Sequence, residues 1–308
     1  MTTKVLKPPY NPRYVQRKKL LSMQLYAEII LILIVMARNS SYLLMKLGIG
    51  NIAPVSLIAF RFLSAFIICA LLFPKKVFAI NKKTLLAGLS IGVLMFFILF
   101  LQITGLKDVS SSEAGFLAST TVVFVPVIQA VHTKSLPKAT QCLYILITMT
   151  GIALLTITSG LSISWGAVLY IIGAFIYAVH ILMTESFSKD VDLFSIGIIE
   201  LFVTGILSLF TSLLIEDFAI PSQPADWAII LSLAILCSIV GLAIQPKFQQ
   251  YTTAERYGLF CGLGPLFSCL LGVMFLHEKF GVREAVGSFL ILAGILLATF
   301  YEKKEKSC

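Results

Sequence analysis

The sequence lacks most of the charge that a water-soluble protein of its length carries. Only 13% of its 308 residues are Asp, Glu, Lys or Arg, and 58% are apolar, whereas soluble domains carry about 25% charged residues. The mean hydropathy is +0.95. A soluble fold of this composition would expose extensive apolar surface and aggregate. The composition therefore predicts a protein of the lipid bilayer, whose outer face is as apolar as its core.

Several motifs that carry chemistry are also missing. There is no GxxxxGK followed by Ser or Thr, which argues against ATP-driven transport. Only three histidines occur, with no HExxH or Asp-rich run. The alternative class, a membrane-embedded transferase acting on a lipid substrate, therefore lacks the usual ligands for metal or diphosphate. Channel features such as a charge ring or filter loop are absent too. We expect no enzyme activity, no cofactor and no metal.

Basic residues outnumber acidic ones, but their distribution argues against nucleic acid as a partner. The net charge is +9, and the Lys and Arg residues cluster in tails and short loops rather than along one helix face. With the N-terminus inside, 18 of them lie on the cytoplasmic side and four on the outer side. This asymmetry predicts a multi-pass protein of the cytoplasmic membrane with both termini in the cytoplasm.

About 20 apolar residues are needed for each crossing of the bilayer. On this criterion the sequence predicts an all-α integral membrane protein with ten transmembrane helices, near 22–45, 54–73, 85–106, 113–132, 140–158, 164–184, 193–215, 227–246, 257–276 and 284–301. Residues 1–21 form a basic cytoplasmic tail, and 302–308 form a second tail.

The two halves of the chain repeat each other weakly at an offset of 143 residues. Gln102 then aligns with Gln245, and the Gly-Ile pair at 151–152 aligns with the pair at 294–295. Because each half, 22–158 and 164–301, holds five predicted spans, the second half enters the membrane from the opposite side. Inverted repeats of this kind are common in secondary carriers.

Five segments resemble a known family. Residues 37–46 (ARNSSYLLMK) and 60–62 (FRF) resemble the first helix pair of the EamA-type members of the drug/metabolite transporter superfamily. Residues 111–126 resemble the fourth helix of that family, 264–279 the ninth and 293–297 the last. The resemblance implies ten helices in two inverted repeats, and the carriage of a small metabolite.

One motif departs from the family pattern. Where the family often has Gly-Glu-Arg, this chain has His277, Glu278 and Lys279, and the first-half counterpart reads His132-Thr133-Lys134. Because the first half lacks the acidic residue, a symmetric role for that glutamate is in doubt.

Two arginines lie within predicted spans at the same depth. Arg38 and Arg61 are each about seven residues from the outer end of a span, which places both about 10 Å inside the outer boundary. A guanidinium suits carboxylate or phosphate, so both arginines, with Asn39 beside the first, are predicted substrate-binding residues. The alternative is that they snorkel outward or pair with carboxylates to hold helices together.

Titratable and amide side chains lie deeper in the predicted spans. Glu200 and Glu28 are predicted proton-coupling residues, since burial raises a carboxyl pKa towards neutrality; a structural hydrogen bond is the alternative for each. The remaining candidates for substrate binding are two glutamines superposed by the repeat, one histidine and two tyrosines: Gln102, Gln245, His180, Tyr177 and Tyr257. The alternative for the glutamines is a bond to a neighbouring backbone group, and for the histidine a structural hydrogen bond or a position at the interface.

Small residues in the ninth predicted span suggest a bending point. Gly258, Gly262, Gly264 and Pro265 would allow this helix to rock, although close helix packing explains such residues equally well. The sequence thus predicts a secondary transporter that moves an amino acid, a related polar solute or a drug by alternating access. Proton coupling and a homodimer are left open, and the expected partners are the small-molecule substrate and the bilayer.

Overall fold

The computed structural model describes residues 23–39, 52–78, 80–105, 108–109, 111–157, 164–187, 191–276 and 281–305, and these residues contain helices and no strand. The helices, labelled in chain order, are α1 (23–39), α2 (Pro54–Leu72), α3 (Pro74–Phe78), α4 (Lys82–Gly105), α5 (Ser111–Ser119), α6 (Thr121–Thr133), α7 (Ala139–Thr156), α8 (Trp165–Ser186), α9 (Leu193–Ile215), α10 (Pro224–Ser232), a π-helix (Leu233–Ala243), α11 (Gln245–Gln249), α12 (Ala254–Cys261), α13 (Gly264–Leu276) and α14 (Val282–Glu305).

Seven segments of the described chain are long and apolar enough to cross a membrane. They are Pro54–Leu72, Lys82–Gly105, Ala114–Thr133, Trp165–Ser186, Leu193–Ile215, Pro224–Gln249 and Val282–Tyr301, and Ala139–Leu155 is a shorter apolar helix. The chain is therefore an all-helical, multi-pass membrane protein. The part of the first predicted span beyond Asn39, and the motif at 277–279, lie outside the described residues.

Two predicted spans are interrupted rather than continuous. The range 113–132 contains α5 and α6, which meet at Thr120, and 257–276 contains α12 and α13, separated by Gly262 and Leu263. The hydroxyls of Thr120 and Thr121 donate hydrogen bonds to carbonyl oxygens three residues earlier. These side-chain bonds compete with the regular backbone hydrogen bonds of the helix. In α13, Pro265 lacks the amide hydrogen that a continuous helix would use.

Helix boundaries follow the 143-residue offset seen in the sequence. Thr121–Thr133 shifted by 143 becomes 264–276, the bounds of α13, and the first residue of α7 becomes the first residue of α14. The breaks coincide as well, because Thr120 maps onto Leu263.

The packing of α7 against α14 is reciprocal under this offset. A Cβ placed on Gly151 would lie 2.7 Å from the carbonyl oxygen of Gly287 and 2.8 Å from the amide of Ile291. A Cβ placed on Gly294 would meet Tyr144 and Thr148, which are the residues that the offset relates to Gly287 and Ile291. Close approach of the two backbones requires glycine on both sides.

The same principle brings α4 and the π-helix close to α9. Gly88 and Gly92 of α4 lie against Ile199 and Val203, and a Cβ on Gly197 would lie 2.5 Å from the carbonyl oxygen of Ala243. The face of α9 that carries Glu200 is thereby enclosed, and this residue is 1% exposed.

Candidate functional site

Arg38 and Arg61 both contact the π-helix. The Nε of Arg61 donates a hydrogen bond of 2.7 Å to the hydroxyl of Ser238. Three residues further on, a Cβ on Gly241 would lie 3.3 Å from the Cβ of Arg38. The first atoms of the Arg38 side chain therefore pack against the π-helix. The two arginines predicted to share one depth are therefore brought to the same short segment.

The π-helix is a local departure from α-geometry within a uniformly apolar segment. Segments of this kind are rare and are found frequently at functional sites. Pro246 lies three residues beyond the π-helix, in the first turn of α11, and has no amide hydrogen to donate to the preceding turn. The thiol of Cys237 also donates a hydrogen bond of 3.2 Å to the carbonyl oxygen of Ala37 in α1. This bond connects the π-helix to the residue next to Arg38.

Arg38 lies against the predicted site tyrosines rather than against an acid. Its Nη1 donates a hydrogen bond to the hydroxyl of Tyr177, and its guanidinium carbon lies 4.6 Å from the centroid of the same ring. The Tyr177 hydroxyl is 3.3 Å from that of Tyr257 and 4.0 Å from the sulfur of Cys261. Among the described side chains, no carboxylate lies within ion-pair distance of Arg38.

His180 and Glu200 form a pair in the protein interior. The Nε2 of His180 lies 2.9 Å from Oε1 of Glu200, and each side chain is 1% exposed. The His180 ring stacks on Tyr177, with 5.7 Å between centroids, so the pair continues from the Arg38 contact. The buried Nδ1 of His180 has no hydrogen-bond partner, which leaves one ring nitrogen able to bind a proton or a ligand.

Glu28 lies apart from this pair and is engaged differently. Its two carboxylate oxygens lie 3.0 Å from Nη1 and Nη2 of Arg256, respectively, and it accepts further hydrogen bonds from Gln24 and Thr252. This bidentate pair joins α1 to α12. The arrangement matches the structural alternative for Glu28; its proton-coupling role stays a prediction.

The residue before Arg256 makes a second connection from the first turn of α12. Glu255 accepts a hydrogen bond of 2.9 Å from the side-chain amide of Gln141 in α7. Consecutive residues of α12 thus contact α1 and α7. We use the term α12 clasp for the Glu28–Arg256 and Gln141–Glu255 contacts together.

The two glutamines related by the repeat both lie beside α8. Gln245 donates to the side-chain oxygen of Gln249 at 3.0 Å, and Gln249 donates to the carbonyl oxygen of Ile181 at 2.9 Å. Gln102 packs beside Gly173, with its Cγ 3.8 Å from a Cβ built there. Gly173 and Ile181 are eight residues apart on α8, so the contact of Gln102 and the hydrogen bond of Gln249 lie about 12 Å apart along this helix.

The predicted bending point coincides with the break between α12 and α13. Gly258 packs against Val125 of α6, and Gly264 packs against the side chain of Asn39. Asn39 in turn donates to the carbonyl oxygen of Val35 one turn earlier, at 2.7 Å. Asn39 thus lies at the helix break, while rocking about this point remains a prediction.

Three participants were not singled out by sequence reasoning. Ser238 and Gln249 are ordinary polar residues in apolar runs, and no pattern marks them as contacts of Arg61 and α8. Arg256 was counted as a loop charge, yet its side chain is 9% exposed. No sequence pattern marks this residue as the partner of Glu28. Among the described residues no group of three His, Cys, Asp or Glu could hold a metal ion.

A multi-pass helical protein with charged groups buried between its helices has the architecture of a membrane transporter, and comparison with known proteins identifies which kind. The model of the EamA-like transporter family matches the chain twice, at residues 25–157 and 164–300. The chain therefore belongs to the EamA-like transporter family, as the resemblance of its motifs predicted.

Individual relatives agree with this assignment. Two uncharacterized transporters of Archaeoglobus fulgidus are 25% and 24% identical, over 90% and 88% of this chain and 86% and 96% of their own lengths. The putative permease-like protein YdzE of Bacillus subtilis is 43% identical over 56 residues, 18% of this chain and 72% of its own. One crystal structure has the same fold, with a TM-score of 0.75, 19% identity, and coverage of 91% of this chain and 98% of that one.

Proposed function

We propose that the chain is a secondary carrier that moves a small polar solute, such as an amino acid or a related metabolite, or a drug, by alternating access. The observation that carries the proposal is the line of polar contacts from the partly buried Arg38 through Tyr177 to the buried His180 and Glu200. Charged groups within a membrane protein are expensive to bury and mark solute or proton pathways. Here they lie where α1, α8, α9 and α12 meet.

The proposed architecture is ten spans in two inverted five-helix repeats, 22–158 and 164–301. Three observations support it: the family model matches once in each half, helix ends and breaks recur at an offset of 143 residues, and α7 packs reciprocally on α14. Reciprocal contacts are what a two-fold relation between the halves produces. Solute sites in such carriers lie between the repeats near the middle of the membrane.

The proposed orientation places both termini in the cytoplasm, as the distribution of basic residues favours. The α12 clasp then lies at the cytoplasmic end of the site, because Glu28 is near the start of α1. In the proposed carrier, the α12 clasp closes the cytoplasmic side of the solute site, and the residues from Arg38 to Glu200 bind the solute. Proton coupling through Glu200 and His180 belongs to the same proposal.

Uptake by purified protein in liposomes tests the proposal. Amino acids, organic acids, nucleotides and cationic drugs are offered outside, with unlabelled solute inside or absent. A carrier gives faster uptake of labelled solute when the same solute is present on the far side, whereas a simple channel does not.

Arg38→Gln is expected to abolish most of the flux. Lys83→Gln, which removes an exposed charge at the start of α4, serves as the matched control and should leave flux unchanged. Absence of flux for every solute, combined with conversion of a lipid substrate, would overturn the proposal in favour of a transferase.

A further inference from the structure

The charges along the buried line can be balanced group by group. Arg38 is always positive, and the tyrosines and the cysteine that contact it are neutral near pH 7. Glu200 supplies one negative charge when ionised. With a neutral His180, the line Arg38–Tyr177–His180–Glu200 carries no net charge.

Most other charged groups near this line have partners of their own. Glu28 and Arg256 neutralise each other in the α12 clasp. On α2, Arg61 donates to Ser238 and lies over the ring of Phe62. On α9, Glu200 faces His180, and the α11 group that reaches α8 is the uncharged amide of Gln249. Glu185, further along α8 than His180, is half-buried.

The unpartnered ring nitrogen defines where a proton can be added. When Nε2 donates its hydrogen to Glu200, Nδ1 carries a lone pair and no hydrogen. This atom is buried without a partner. Addition of a proton there converts His180 into an imidazolium that remains paired with the Glu200 carboxylate, so the pair changes its charge by one without losing its contact.

Arg38 defines where an anion can be added. One of its five N–H donors is used for Tyr177, and no described carboxylate competes for the rest. A planar guanidinium binds a carboxylate through two parallel hydrogen bonds. Arrival of a carboxylate gives the line a net charge of −1, which a low-dielectric interior opposes. Addition of a proton at Nδ1 restores neutrality.

Resting on the proposed carrier function, we propose that the substrate is a monocarboxylate without an amino group, carried together with one proton in an electroneutral step. Arg38 binds the carboxylate, Nδ1 of His180 takes up the proton, and Glu200 holds the ring so that Nδ1 stays the free nitrogen. Release of the anion on the other side returns the proton to water. An α-amino acid brings its own positive charge, so its binding gives no reason for proton uptake.

The first experiment measures proton uptake directly. Pyruvate and 2-oxoisovalerate serve as probes, with alanine and valine as their amino counterparts, added to purified protein in weakly buffered detergent containing a pH indicator. About one proton should be taken up for each oxo acid bound. His180→Gln should abolish proton uptake, and Arg38→Lys should keep proton uptake with at least tenfold weaker binding, because it retains the charge and loses the planar fork.

The second experiment uses the unaltered protein in liposomes and so does not depend on the stability of any variant. A pH difference of one unit, acid outside, should drive about tenfold accumulation of oxo acid for one proton per anion. A potential imposed with potassium and valinomycin should have no effect. Protein-free liposomes correct for diffusion of the uncharged acid.

Each result decides between the two proposals. Oxo acid flux that follows the membrane potential, or binding without proton uptake, overturns the electroneutral proposal and leaves the carrier intact. Transport of alanine or valine with no oxo acid transport overturns the substrate class alone. Flux of no solute overturns the carrier itself.

Discussion

The ion pair of the α12 clasp supports a quantitative prediction about stability. Glu28 and Arg256 are each 9% exposed, with two nitrogen–oxygen distances of 3.0 Å. At an effective dielectric constant of about 20, unit charges at that separation attract by roughly 5–6 kcal/mol. Desolvation of both groups offsets much of this energy when both are present. Removal of one partner instead leaves the other buried without compensation.

We expect Arg256→Ala to lower the free energy of unfolding by about 3–5 kcal/mol. Glu28→Gln should cost a similar amount, because it leaves the charge of Arg256 buried without a counter-charge. The double variant Glu28→Leu with Arg256→Leu should lie near the unaltered protein, since an apolar pair needs no desolvation. Combined with the single variants Glu28→Leu and Arg256→Leu, the double variant gives the interaction energy of the pair.

Equilibrium unfolding of the purified protein in mixed micelles, with increasing SDS, measures these free energies. Lys83→Ala removes an exposed positive charge and should change stability by less than about 0.5 kcal/mol. If Arg256→Ala is as mild as Lys83→Ala, the ion pair contributes little, and the reasoning from burial is wrong.

Three further predictions concern other contacts. A Cβ at Gly197 would lie 2.5 Å from a carbonyl oxygen at the end of the π-helix, so Gly197→Ala should lower the free energy of unfolding by about 1–3 kcal/mol in the same assay. Gly173→Ala is the control and should be neutral, because the atom nearest to a Cβ at that position is 3.8 Å away. Glu216 accepts from two backbone amides at the start of α2, both at 2.9 Å; Glu216→Ala should cost about 1–2 kcal/mol, and a loss below about 0.3 kcal/mol would contradict the capping role. Burial alone would raise the pKa of the Asp192 carboxyl, but the hydrogen bond and charge of Lys76, with smaller contributions from neighbouring donors, bring its pKa below the usual value. Because the folded-state pKa is the lower one, the stabilisation by Lys76 is complete above the unfolded pKa of about 3.9 and is lost as the pH falls through the folded value. Lys76→Met should therefore lower stability at pH 7 by less than about 1 kcal/mol, given the exposure of the pair, and by a smaller amount at pH 3.

Hydropathy and low charge were enough to predict an all-helical, multi-pass membrane protein and the places of its seven long apolar segments. The seven long apolar segments overlap predicted spans because a bilayer requires apolar runs of fixed minimum length. The interruptions were not predictable in the same way. Thr120 and Leu263 do not change the hydropathy of their segments, and the π-helix differs from an α-helix only in which carbonyl each amide reaches.

The candidate site was predicted as separate residues, and the structure supplies their pairing. The sequence predicts His180 and Glu200 as separate residues, because nothing in it states that α8 and α9 place them 2.9 Å apart. The pairing of Glu28 with Arg256 spans 228 positions, and a basic residue just before an apolar run is ordinarily a loop charge. Depth within a span can be counted along the sequence, whereas the side of the helix that faces a partner depends on long-range packing.

The reciprocal glycine contacts between α7 and α14 also bear on how the molecule holds together if its chain is interrupted. None of these contacts depends on the covalent connection between α7 and α8, since each half supplies one set of glycines to the other. A cut of the chain between residues 157 and 164 would therefore remove the covalent connection of the two halves and leave the contacts between α7 and α14 intact. The two fragments, made together in one membrane, would then associate according to their concentration in the bilayer, which turns a fixed property of one chain into an equilibrium that can be titrated.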